Sequence, residues 1–130
     1  MALTTAYETN ILQHALGVSA LAFNTAPKIA LYTTLPTMPA GTGGVEVTGG
    51  SYARQAISFG APTGAAPAVT SNSATVQFPT ATADWGTIAG AAIFDQAGVM
   101  IDCGPLQVPK TILNGDVFII PIGNYVVNLT

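Results

Sequence analysis

The side chains able to do acid-base or nucleophilic chemistry in this chain are few. They are six acids, Glu8, Glu46, Asp84, Asp95, Asp102 and Asp116, with one histidine, His14, and one cysteine, Cys103. General acid-base catalysis needs titratable groups held close together, and most of these acids have a plainer use. Glu8 falls in the first turn of an expected helix, while Asp84, Asp95 and Asp116 lie in turn sequences. Asp95 and Asp102 flank one expected hairpin, which invites an acid pair or a calcium site, but their spacing matches no loop of known ligand geometry. A nucleophile would need His14 as its base. The chain holds no Gly-x-Ser-x-Gly elbow, and Cys103 has no cationic sequence neighbour to lower its pKa. The expectation is a protein that is not an enzyme and that uses no metal and no cofactor.

The elements that would position these groups are mostly strands. Thr5 to Leu16 is the one convincing helix: Thr5 and Glu8 are spaced as a capping box, Tyr7, Ile11 and Ala15 share a face with Leu12 and Leu16 beside it, and Gly17 offers a left-handed cap. Lys28 to Thr33 reads as a first strand and Pro36 to Gly50 as an irregular Gly/Pro loop. Ser51 to Phe59 alternates as a strand, with Tyr52 and Arg54 on one face. Pro62 to Asn72 reads as a second loop, and Ser73 to Phe78 as a strand leading into a corner at Asp84-Trp85-Gly86. There Asp84 caps the turn, Gly86 takes a positive φ, and Trp85 carries the largest apolar area of any side chain present.

The apolar run Ile88 to Phe94 follows, then a hairpin turn at Asp95 to Gly98, the return strand Val99 to Ile101 and a short connection from Gly104 to Pro109. Asn114-Gly115 is the strongest turn signal, and Pro121 interrupts two closing strands, Val117 to Ile120 and Tyr125 to Leu129. Seven or eight short strands at this spacing predict a mainly β fold, an antiparallel β-sandwich or jelly-roll-like barrel with one short N-terminal α-helix. Residues 1–130 form one β domain, with 1–17 as a helical arm and 28–130 as the sandwich. Phe78, Trp85, Ile88 and Phe94 are the expected core, and Tyr52 and Arg54 the expected contacts with a partner subunit, because Tyr and Arg are enriched in such contacts.

Composition narrows the function further. Of 130 residues only 7% are charged while 49% are hydrophobic, against about 25% charged in an ordinary soluble domain. So few charges leave a lone domain prone to association, which points to an obligate oligomer or part of a larger assembly. The net charge of −3 and the scattered cations Lys28, Arg54 and Lys110 argue against nucleic acid. The longest apolar runs, Ala15 to Phe23 and Val117 to Ile122, are well short of the roughly 20 residues of a membrane-spanning helix, and no secretory signal is indicated. The single cysteine allows no intrachain disulfide.

Three segments carry a resemblance. Ala30 to Thr37 (ALYTTLPT), Glu46 to Pro62 (EVTGGSYARQAISFGAP) and Val76 to Asp95 (VQFPTATADWGTIAGAAIFD) resemble a family of small bacteriophage virion proteins, often labelled tail fibre or virion structural proteins. The resemblance covers most of the chain, including the ending GDVFIIPIGNYVVNL, and departs from the pattern over Val99 to Gln107. It implies a virion component made in the bacterial cytoplasm. The first expectation within it is a homotrimeric capsid decoration or cement protein that clamps the major capsid protein. The second is a tail or tail-fibre component serving as an adaptor or receptor-binding module. A third reading is a carbohydrate-binding domain that uses Trp85, Tyr52 or Tyr125 as a stacking platform.

Overall fold

The computed structural model of the chain describes residues 2–64 and 68–129. Its elements are β1 (Ala2–Leu3), α1 (Thr5–Ala15), β2 (Lys28–Thr34), β3 (Val45–Glu46), β4 (Gln55–Ala56), β5 (Ala68–Ser71), β6 (Val76–Gln77), β7 (Gly86–Phe94), β8 (Met100–Ile112), β9 (Ile119–Ile120) and β10 (Val126–Leu129). The fold is mainly β and antiparallel with one short helix, as the strand and turn pattern predicts.

The larger sheet runs β1-β8-β7-β2-β3, and β4 pairs with β2 ahead of β3 along the same edge. Two small ladders, β10 with β5 and β6 with β9, lie outside it. The apolar runs in β2 and β7 are near-continuous because both faces of this sheet are covered, so neither strand alternates with polar residues. On one face Ile29, Leu31, Ile88, Ala91, Ile93 and Ile112 pack with Val76 and Ile120 of the small ladders and with Phe78, Trp85, Phe118 and Tyr125. On the other, Ala30, Tyr32, Ala92, Phe94 and Cys103 meet Leu35, Met38 and Met100. Gly90 makes the second packing possible: a Cβ there would collide with the Leu35 side chain and lie 2.5 Å from the Gly104 carbonyl oxygen.

The tryptophan corner forms as its residues dictate. Asp84 Oδ1 accepts the Asn114 N–H at 2.8 Å, Gly86 has φ +88°, and the Trp85 indole N–H donates to the Gly50 carbonyl at 2.9 Å. Trp85 sets its ring edge-on to Tyr52 and Phe78, and Phe78 is edge-on to Phe118. Phe78, Trp85 and Ile88 are buried in the first core, whereas Phe94 is buried on the opposite face.

Several expected elements differ. The helix is capped by Thr4 rather than Thr5, and without a side-chain cap, because the Thr4 hydroxyl donates instead to the Met100 carbonyl at 2.7 Å. Ser51 to Phe59 is not one strand: Gly49, Gly50 and Ser51 all have positive φ, the turn rotates Tyr52 inward, and the stretch is reduced to the strand Gln55–Ala56 and an isolated bridge from Phe59 to Asn72. The Pro62 to Asn72 loop contains β5, and Val45–Glu46 forms a strand within the Gly/Pro loop. Gly104 to Pro109 is no connection but the middle of β8, where the register steps from Pro105 opposite Gly90 to Lys110 opposite Ile88. Leu106 to Pro109 therefore stand out as a wide bulge against Ala89.

Candidate interaction surfaces

Tyr52 and Arg54, the expected partner contacts, are engaged within the domain. Arg54 Nε lies 2.7 Å from Glu46 Oε1 and Nη2 lies 3.2 Å from Oε2, a two-pronged ion pair that raises the guanidinium pKa further. The same guanidinium sits 3.8 Å from the Phe94 ring centroid, so the cation closes the second face of the sheet. Tyr52 stacks on Phe78, its hydroxyl accepts the Leu31 N–H at 3.0 Å, and it donates to Glu46 at 3.4 Å. Burial pushes its phenol pKa up. The strand break after Gly50 brings these residues together, and no pattern in the sequence announces it.

The stacking platforms of the carbohydrate reading are not available. Trp85 is 6% exposed and Tyr125 3% exposed, so neither presents a face to a sugar. Tyr52 is half-buried with its ring against Phe78 and Trp85.

The titratable residues are dispersed. Asp95 shapes its hairpin turn by accepting the Ala97 and Val99 N–H groups at 2.9 Å and receives the Tyr7 hydroxyl, which ties α1 to the sheet. Burial alone would raise its pKa, but these hydrogen bonds, the Tyr7 one foremost, hold it below the usual carboxylate value. Asp102 is fully buried on β8; its Oδ1 accepts the Tyr125 hydroxyl at 2.8 Å, and its Oδ2 finds no partner among the described residues. Desolvation pushes its pKa up to about 6. Cys103 is buried, and desolvation raises its thiol to about 11, away from the reactive thiolate. His14 Nδ1 accepts the Leu21 N–H at 3.2 Å on the exposed side of α1. Among the described residues no three His, Cys, Asp or Glu side chains are grouped to hold a metal ion.

What the surface does offer is uncovered apolar side chain. The arm formed by α1 and the segment after it exposes Leu12, Leu16, Val18 and Phe23, the last at 84%. The bulge of β8 and the strands β9 and β10 expose Val108, Ile119 and Val126 around an open cleft of about 770 Å³, and Ile122 is exposed on the β9–β10 connection. Apolar area gathered in patches, on a chain with so little charge, is what protein-protein contact uses. Helical amphipathicity alone could have pointed to the arm, but the cleft depends on a bulge that sequence spacing does not reveal.

A family model described as podophage GP4 fiber I protein gp80 matches residues 2–128. No curated protein matches the chain.

Proposed function

The chain belongs to the podophage GP4 fiber I protein gp80 family, and from that premise we propose that it is a non-catalytic subunit of the tail fibre that self-associates through its uncovered apolar faces. As a member of that family it is a structural protein of the bacteriophage virion, made in the host. The match to a fiber family carries the tail reading in preference to decoration of the capsid. The mechanism is cohesion: neutral and apolar surface from several subunits is removed from water at roughly 25 cal/mol per Å² of apolar area, less the cost of ordering the partners. A homotrimer is the expected oligomer, and other virion proteins are the further partners.

Copy number per purified particle, measured by quantitative mass spectrometry against the major capsid protein, tests the placement. A few copies per particle, lost when tails are sheared off, is the expected result. Near-stoichiometry with the capsid protein would restore the decoration reading, and absence from the particle would overturn the structural role.

A further inference from the structure

The uncovered apolar side chains fall into a ridge and a groove. Glu8, Leu12 and Leu16 stand four residues apart, so they form one stripe along the side of α1, and Tyr7, which is buried, turns to the sheet. Leu12 is 60% and Leu16 74% exposed, and Glu8 is exposed at the stripe's N-terminal end. The groove is the cleft between the β8 bulge and the β9–β10 connection, with Val108 at 77% exposure on one lip and Ile119 at 44% on the other.

Each feature carries one charge. Glu8 is the only acid on α1, and among the described residues Lys110 is the only charged one lining the cleft. Among the described residues the one ion pair is Arg54 with Glu46, so Glu8 and Lys110 are both exposed and in no ion pair with another described residue. A ridge that is apolar with a negative end is complementary to a groove that is apolar with a positive wall.

We propose that the cleft of one subunit receives the α1 arm of a second copy of this chain, with Leu12 and Leu16 between the lips and Glu8 paired to Lys110. The inference rests on the reading of the chain as a self-associating fibre subunit. Because ridge and groove are different surfaces, the contact is heterologous: it closes into a ring when the rotation per subunit allows, as in the expected trimer, and otherwise runs on as an open chain.

Two surface variants test this, Leu16→Asp on the arm and Val108→Asp on the cleft, both with native circular dichroism because both side chains are already exposed. In sedimentation velocity the wild-type protein is expected to associate, each variant alone to run as a monomer, and an equimolar mixture to form a dimer and nothing larger. That mixture joins the intact arm of one variant to the intact cleft of the other. Glu8→Lys and Lys110→Glu should each weaken association by about two- to five-fold, and the two together in one chain should restore it. Variants that associate like wild type, or single variants that stay monomeric even when mixed, would overturn the head-to-tail contact while leaving self-association intact. A wild-type protein that remains monomeric at every concentration would overturn the underlying reading as well.

Discussion

Replacing Asp102 by Asn should stabilise this protein at neutral and alkaline pH, and only there. The carboxyl is fully buried, one oxygen accepts the Tyr125 hydroxyl, and the other has no partner among the described residues. Burial raises its pKa from 3.8 to about 6, against a smaller opposing effect from the Tyr125 hydrogen bond. The folded state therefore binds the Asp102 proton more tightly than the unfolded chain does. Stability contributed by the neutral acid is complete below pH 3.8 and is lost as pH rises through 6.

A difference of roughly 2 pKa units corresponds to about 3 kcal/mol at most. An Asn side chain keeps the acceptor for Tyr125 but introduces an amide N–H₂ that must find a partner, which costs about 1 to 2 kcal/mol. The net expectation at pH 8 is therefore a gain of about 1 to 2 kcal/mol, or several degrees in Tm for a domain of this size. Urea unfolding of both proteins at pH values from 4 to 8 gives the difference directly, and contributions from the other carboxylates cancel in it. The difference should favour the Asp102→Asn variant at pH 8 and shrink or reverse toward pH 4. A flat difference, or a variant less stable than wild type at pH 8, would mean that the Asp102 charge is stabilised in the fold, and the reasoning would fail.

Two further outcomes are expected. Trp85→Ala removes a ring that is 6% exposed and holds the Gly50 carbonyl, so the urea midpoint should fall by the equivalent of about 3 to 5 kcal/mol; an unchanged midpoint would place the ring outside the core. Tyr7→Phe deletes the hydroxyl that bonds Asp95 and loosens the arm locally. Amide hydrogen exchange in α1 should accelerate about 5- to 30-fold while β2 and β7 keep their protection, and a uniform acceleration across the domain would contradict a local tether.

Much of the fold is legible in the residues because local chemistry and tertiary structure agree there. Thr5 to Leu16 is helical by period, and Gly17 takes φ +73° where the helix ends. The apolar runs at Ile29 to Tyr32 and Ile88 to Phe94 become paired central strands. Asp84, Trp85 and Gly86 make the corner by turn chemistry, and Asp95 to Gly98 make the hairpin. The segments that resemble phage virion proteins state the kind of particle.

Tertiary structure decided what depends on contacts distant in the chain. Tyr52 turns inward because positive φ at Gly49, Gly50 and Ser51 breaks an alternation that local pattern reads as a strand. Thr4 gives its hydroxyl to Met100, across the sheet edge, rather than to its own helix. Ala68–Ser71 has no periodicity and becomes a strand only because β10 offers it a ladder. Arg54 is drawn home by Glu46 and Phe94, and Asp102 is buried by the small ladders and β1, neither of which spacing can predict. Side-chain type and period act over a few residues, so they determine element kind and turn position. Register, bulges and the partner of each polar atom are set by surfaces that meet only once the chain has folded.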